Sequence, residues 1–368
     1  MVNNNKIKYL FIFAILDLFI FTIFSCSINS YTYQRIEEEK TTIDVPLSIK
    51  KVNVLIDEGT NFVINEENKQ YSLSSNFLYN SLISDKGFFY KGKYIGNQIY
   101  IDKNNKNGLL QLISKIDLDV YVASAIAAEM GSSFEKEALK AQAVASRTFI
   151  IEKIINDNNF KVTNSTSHQV FNLEKYKNFI QYVDETKDEV LIFDNKIIKV
   201  FFHASSGGIL TIPRLEWGGE DLNYYKIKLD KFSEDTVIWD YKISKNNLVE
   251  ILFQNKFINQ KKEIFKISLT IRNEDKRIDS VNIIFNDGSY TSIKGKTFRQ
   301  IIGERNIKSL LFEVYYENNF LIFKGKGYGH GIGLSQHGAN NMAKNNFTYI
   351  EILKFYYNES KIAKLNFK

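Results

Sequence analysis

Residues 117–155 read DLDVYVASAIAAEMGSSFEKEALKAQAVASRTFIIEKII, and this stretch predicts two consecutive helices. Its first part is apolar and rich in alanine, and it ends in one carboxylate, Glu129. Gly131 then interrupts the pattern. Ser132 and Glu135 have the spacing of a capping box, which predicts that the second helix begins there. The alanines that follow favour helical backbone.

Two cations interrupt the apolar face of the second helix. Lys140 and Arg147 are seven residues apart and therefore lie within about 20° of each other on an α-helix. A buried cation needs an anionic partner, and Glu129 is the nearest candidate across the turn. One carboxylate facing two cations suits an acid/base site in a cleft. It equally suits a buried ion pair between two helices, and spacing alone leaves both interpretations open.

The same stretch resembles the signature of the stage II sporulation protein D and LytB family. The resemblance rests on D-x-Y-V-x-x-x-I-x-x-E-M at residues 119–130 and E-A-L-K-A-Q-A-V-A-S-R-T-F at residues 137–149. Members of that family are lytic transglycosylases of peptidoglycan or partners of peptidoglycan amidases. The resemblance implies that Glu129 is the catalytic acid. It also implies that Lys140 and Arg147 line the same cleft and bind substrate.

The composition is that of an ordinary globular chain of 368 residues, with 44% hydrophobic and 24% charged side chains. The net charge of +6 is spread along the chain without a basic block, which argues against a nucleic-acid partner. It is compatible with an anionic cell-wall polymer. Cys26 is the single cysteine, so neither an intramolecular disulfide nor a cysteine-based zinc site is expected.

The first 26 residues have the features of an export signal. Lys6 and Lys8 precede an apolar run at residues 9–24, which is shorter than the roughly 20 residues that span a bilayer and contains Asp17. A signal peptide fits this pattern better than a permanent membrane helix. Cys26 directly after Ile23-Phe24-Ser25 resembles a lipobox, which implies a lipid-anchored protein facing the periplasm or cell wall. An uncleaved anchor with an incidental cysteine is the alternative.

The remainder of the chain predicts an α+β fold with mixed helices and short-stranded sheets. Residues 27–47 are polar and aperiodic, which indicates a tether before a single domain at residues 48–368. Alternating runs predict strands ahead of the central helices of residues 118–156. These runs lie at residues 52–56, 61–66 and 88–101.

The second half predicts a helix near residues 174–188 and then a hairpin within residues 190–208, with Asp194-Asn195 near its turn. Residues 224–322 alternate short strands and charged turns, which predicts an inserted or appended β subdomain. This part of the chain carries no recognisable chemistry of its own.

Further motifs resemble the same family: H-x-x-S-G-G at residues 203–208, W-G-G at residues 217–219, and GKGYGHGIGLSQHGA at residues 325–339. Glycine at every second position of the last run strips one face of side chains, which would let a pyranose ring approach the backbone. We expect side chains of these motifs to bind substrate. They are His203, Ser205, Ser206, Tyr328, His330, Ser335 and Gln336.

A metal site is the alternative use for the four histidines, because neutral imidazole is a common zinc ligand. Some family members bind zinc through His and Cys near the position of His168. This chain has no cysteine there and no H-E-x-x-H pattern, and His330 and His337 are seven residues apart. We therefore expect neither a metal nor another cofactor.

The leading hypothesis is cleavage of glycan strands without water. A glycoside hydrolase usually uses two carboxylates. A lytic transglycosylase uses one, here Glu129, and leaves 1,6-anhydromuramyl ends. The alternative is a non-catalytic peptidoglycan-binding lipoprotein that recruits or stimulates a cell-wall amidase. A zinc amidase is a third possibility, which the small number of candidate ligands disfavours.

Overall fold

The computed structural model describes residues 41–163 and 172–368, and these residues have the predicted α+β architecture. Buried hydrophobic side chains form a cluster around the central helices, a second in the β-rich part, and a third under the first sheet. Among the described residues, we find no helix with the length and apolar character that crossing a membrane requires.

The N-terminal part of the described chain is mostly strand. Its strands are β1 (Thr41–Val45), β2 (Lys51–Gly59), β3 (Phe62–Glu66), β4 (Lys69–Leu73), β5 (Ser81–Tyr90), β6 (Lys93–Lys103), β7 (Leu110–Asp117) and β8 (Val162–Thr163). All except β1 form one sheet in the order β4-β3-β5-β6-β7-β2-β8, which confirms the three predicted strand runs. Because β1 lies within residues 27–47, the prediction of a tether is wrong from residue 41 onward.

Strand β7 continues directly into helix α1 (Leu118–Glu129), and α2 (Lys136–Asn156) follows after a short turn. Both predicted helices are confirmed, but capping by Ser132 is wrong, because α2 begins four residues later. Its N-cap, Glu135, makes no side-chain capping bond. The backbone N–H of Glu135 donates instead to Oδ1 of Asn340 at 2.7 Å. A tertiary contact therefore satisfies a group at the start of this helix.

Short elements follow the central helices. They are α3 (Ile180–Glu185), β9 (Glu189–Phe193), β10 (Lys196–Ile197), β11 (Phe202–His203), β12 (Ile209–Leu210), α4 (Pro213–Trp217) and β13 (Lys228–Leu229). Helix α3 is shorter than predicted. The hairpin is confirmed, because β9 and β10 pair antiparallel through Asp194 and Asn195, whose φ angles are +50° and +57°.

The β-rich part has its own hydrophobic cluster, which includes Trp239 and Phe323. Its elements are β14 (Ile238–Ser244), α5 (Lys245–Gln254), β15 (Ile264–Ile271), β16 (Ile278–Phe285), β17 (Tyr290–Lys294), α6 (Gly295–Ile302), β18 (Phe312–Glu317) and β19 (Phe320–Lys326). The strands form two sheets, β14-β19-β18 and β15-β16-β17. The predicted β subdomain thus also contains two helices.

The C-terminal segment returns to the central helices. It contains β20 (Leu334–Ser335), α7 (Gln336–Lys344), α8 (Tyr349–Tyr356) and β21 (Lys361–Phe367). Strand β21 joins a sheet in the order β1-β21-β9-β10. Strand β20 pairs parallel with β11, with His203 opposite Ser335, and this pairing places the H-x-x-S-G-G segment beside the glycine-rich segment.

Candidate active-site cleft

Segments that are far apart in the sequence line a cleft of about 580 Å³. The end of α1, one face of α2, the strand β11, the end of α4, the β-rich part and the glycine-rich run all contribute to it. Five of the predicted site residues lie in its wall. They are Glu129, His203, Tyr328, His330 and Gln336.

Glu129 is the last residue of α1 and is partly buried. Nε2 of Gln336, the first residue of α7, donates to its Oε2 at 3.2 Å. The carboxyl stands at the negative end of a helix dipole, which disfavours negative charge, whereas the amide donor favours it. Burial, and secondly the charge of Glu129, raises the pKa of the buried Tyr121.

The backbone of Ile332 orients two histidines of the cleft. Nδ1 of His203 donates to the Ile332 carbonyl at 3.1 Å, whereas Nδ1 of His330 accepts from the Ile332 N–H at 3.0 Å. Burial lowers the pKa of both rings, that of His330 to about 3, and the charge of Arg277 adds to the effect. Both imidazoles are therefore neutral at neutral pH. Nε2 of His203 is buried and has no hydrogen-bond partner among the described residues.

Ser205, Ser206 and Ser335 are buried behind the cleft. The hydroxyl of Ser233 contacts those of Ser205 at 3.1 Å and Ser335 at 2.8 Å, and the hydroxyl of Ser206 donates to Asp230 at 2.8 Å. Burial raises the pKa of Asp230. The prediction that these serines contact substrate is wrong, because their hydroxyls face this internal network. They join the loop after β11 to the start of α7.

Protein atoms cover the glycine-rich run. At Gly329, where φ is +111°, a Cβ would lie 2.7 Å from Cβ of His203. At Gly331, where φ is +82°, a Cβ would collide with the guanidinium of Arg277. The prediction of a bare backbone surface for a sugar is therefore wrong at these positions. The glycines instead let other parts of the protein approach the run closely.

Lys140 and Arg147 do not line the cleft. Nζ of Lys140 lies 2.7 Å from a carboxylate oxygen of Glu137 and 4.7 Å from the ring centre of Tyr349. Arg147 is completely buried and donates to three backbone carbonyls after and within α3. The prediction that both cations line the cleft of Glu129 is wrong. The side of α2 that carries them packs against α3 and α8, and a different side of the helix lines the cleft.

Several cleft residues escaped the sequence analysis. They are Phe149, Lys153, Glu216, Trp217, Lys296, Arg299 and Glu304. Two are carboxylates in ion pairs: Glu216 lies 3.4 Å from Arg272, and Glu304 lies 3.1 Å from Arg299. The W-G-G pattern was the available signal for Trp217. The sequence of the β-rich part contained no signal for Lys296, Arg299 or Glu304, because their position in the cleft depends on tertiary packing.

Within residues 41–163 and 172–368, no three His, Cys, Asp or Glu side chains are grouped in a way that could hold a metal ion. His168 and Cys26 lie outside the described residues. The expectations about zinc near His168 and about lipidation of Cys26 therefore stay predictions.

The sequence is similar to a family model and to several known proteins. Residues 106–193, which include both central helices, match the family model described as Stage II sporulation protein. An uncharacterized protein of Brachyspira hyodysenteriae is 32% identical over 286 residues, 76% of this chain and 75% of that protein. Stage II sporulation protein D of Bacillus subtilis is 26% identical over 278 residues, 69% of this chain and 76% of that protein. The amidase enhancer of Bacillus subtilis is 28% identical over 275 residues, 62% of this chain and 38% of that protein.

Proposed function

The chain belongs to the stage II sporulation protein D family, and on this basis we propose that it is a lytic transglycosylase of peptidoglycan glycan strands. The relatives support a function related to the cell wall. The observation that carries the proposal is the carboxyl of Glu129 in the wall of a cleft of about 580 Å³, contacted by the amide of Gln336. A cleft of this kind suits an extended polymer that passes through it.

In the proposed mechanism, Glu129 begins as the neutral acid. It donates its proton to the glycosidic oxygen between N-acetylmuramic acid and N-acetylglucosamine while the bond from that oxygen to muramyl C1 breaks. The carboxylate then accepts the proton of the muramyl C6 hydroxyl while O6 bonds to C1. This closes a 1,6-anhydro ring and restores the acid without consuming water. Gln336 orients the carboxyl during both transfers.

Hydrolysis is the competing chemistry, because Glu216 and Glu304 are further carboxylates in the cleft. Each lies in an ion pair with an arginine, and we therefore assign the proton transfers to Glu129. Digestion of glycan strands in water enriched in heavy oxygen separates the two reactions. Mass spectrometry should find anhydromuramyl ends without the heavy isotope. Reducing ends that carry the isotope would identify a hydrolase.

The Glu129→Gln variant tests the role of the acid. Glutamine keeps the size and polarity of the side chain but cannot donate the proton, so the rate of anhydromuramyl formation should fall by about 10²–10⁴-fold. The melting temperature should stay close to that of the wild type. Glu304→Gln is the matched control, since it neutralises another carboxylate of the cleft and should retain most activity. Normal turnover by a destabilised Glu129→Gln protein would show that Glu129 is only structural.

A non-catalytic role in which the chain recruits or stimulates a cell-wall amidase is the second candidate. The similarity to an amidase enhancer favours it. In that role the purified chain would form no anhydromuramyl ends, yet it would bind glycan and increase the release of stem peptides by an added amidase. Both activities can be measured on the same glycan preparation, with and without stem peptides.

We also propose export and anchoring through a lipid on Cys26, the single cysteine, which lies two residues after the N-terminal apolar run of residues 9–24. The Cys26→Ala protein should lose palmitate labelling and leave the membrane fraction, or accumulate unprocessed. Unchanged labelling and size would rule out this anchor.

A further inference from the structure

One of the two tryptophans of the chain is exposed in the wall of the cleft. Trp217 is 42% exposed, whereas Trp239 is 4% exposed within the hydrophobic cluster of the β-rich part. An indole has a large apolar area, and leaving it in water is unfavourable. An exposed indole in a concave site therefore indicates a ligand that covers it.

Other rings support the indole from the protein side. The ring centre of Phe201 lies 4.7 Å from that of Trp217 at an interplanar angle of 58°, and the ring of His330 lies 5.1 Å away at 63°. These separations are typical of favourable aromatic contacts. They leave part of the indole open to the same cleft that Glu129 lines.

Arg272 fixes helix α4, which carries Trp217 at its end. Nη1 of Arg272 donates to the carbonyl of Leu215 at 2.7 Å, and Nη2 lies 3.4 Å from the carboxylate of Glu216. Asp275 fixes the guanidinium through two bonds of 2.9 and 2.7 Å. The indole is thus exposed but anchored, and a preorganised ring loses little conformational entropy when a ligand binds.

Two glycines with positive φ follow Trp217. Gly218 and Gly219 have φ angles of +77° and +90°, which glycine adopts without strain. A Cβ at either position would meet no atom within 4 Å, so neither glycine is needed for close packing. Their backbone geometry ends α4 directly after Trp217, and the ring stands at the tip of the element.

We propose that Trp217 is a stacking platform for one pyranose ring of a glycan strand bound across the cleft. The C–H groups on one face of a pyranose form an apolar surface with partial positive charge, which complements the negative face of an indole. This subsite rests on the proposed function for the identity of the polymer. It adds a binding contact that takes no part in proton transfer.

Tryptophan fluorescence of the full-length chain provides the test. The Glu129→Gln background prevents cleavage during titration with purified glycan strands. The emission should change on binding, since Trp217 becomes covered while Trp239 stays buried. In the same background, Trp217→Phe should abolish that change, and Trp217→Ala should weaken binding to insoluble glycan by on the order of tenfold. Tyr290→Ala removes an aromatic ring that is 73% exposed on β17 and is the matched control, with unchanged binding expected.

The outcomes separate this subsite from the proposed reaction. Wild-type protein that forms anhydromuramyl ends, together with a Trp217→Ala variant that binds as tightly as its parent, overturns the platform alone. Binding that depends on Trp217, in a protein that forms no such ends, supports the platform and overturns the reaction. Binding without any emission change also counts against the platform. The Trp217→Phe measurement remains decisive if the alanine variant does not fold.

Discussion

Arg147 and Arg277 are both completely buried, and both donate to backbone carbonyls, but they stabilise different parts of the molecule. Arg147 donates to the carbonyls of Val183, Thr186 and Glu189, where α3 ends and β9 begins. A guanidinium at the carboxyl end of a helix is well placed, because the last carbonyls there have no helical partners. This arginine therefore anchors a helix away from the cleft.

Arg277 lies just before β16 and donates to the carbonyls of Ser206 and Ile209 at 3.2 and 2.8 Å. It packs against Gly331, and its charge contributes to the lowered pKa values of His203 and His330. The arginine within the family motif thus bonds to backbone carbonyls outside the cleft. The arginine beside the site comes from the β-rich part, where no motif marked it. For Arg147, membership of a motif did not predict proximity to the cleft.

Removing Arg147 gives the sharpest test of this contrast. Arg147→Met leaves three buried carbonyls without their donor, and the free energy of unfolding should fall by about 3–5 kcal/mol. Chemical denaturation measures the loss. Lys140→Met, on the same face of the helix, should cost no more than about 1 kcal/mol because its ion pair is partly exposed. A stable Arg147→Met protein that has lost glycan cleavage would place Arg147 in the site after all.

Lowering the pH should reduce the free energy of unfolding through His330, whose pKa is lowered by burial and by the charge of Arg277. The folded protein keeps His330 neutral, with a pKa lowered to about 3, whereas the unfolded chain binds that proton near pH 6.5. The free energy of unfolding should therefore fall as the pH drops below about 6.5, by up to about 1.4 kcal/mol per pH unit from His330. Between pH 6.5 and 5, His330→Gln should show a smaller slope than the wild type. Equal slopes would mean that folding does not lower the pKa of His330.

The motifs located the cleft because each of them supplies a residue to it. Glu129, His203 and Gln336 come from separate motifs, and the structure places all three in one wall. Their chemical roles remain predictions. The hairpin turn at Asp194 and Asn195 was also predictable from the sequence, because these residue types tolerate the positive φ angles that a tight turn requires.

Helical periodicity could not show which neighbour each face of α2 contacts. The spacing of Lys140 and Arg147 correctly places them on one side, but that side packs against α3 and α8. Phe149 and Lys153, four residues apart on the same helix, face the cleft instead. The helical period fixes the directions of side chains relative to one another on a single helix. Which element each side of the helix packs against depends on contacts between residues that are distant in the chain.

The pairing of β1 with β21 also affects how the domain folds. Its register joins Thr41 to Ala363 and Val45 to Phe367, and the side chains of Asp44 and Asn366 that bond across it are 322 positions apart. Closing so long a loop is entropically costly, and contacts of high sequence separation slow folding. The sheet that also contains β9 and β10 cannot be completed until residues 361–367 are available. Until then β1 is a free edge, so this domain is most open to misassembly and proteolysis while its C-terminal strand is still missing.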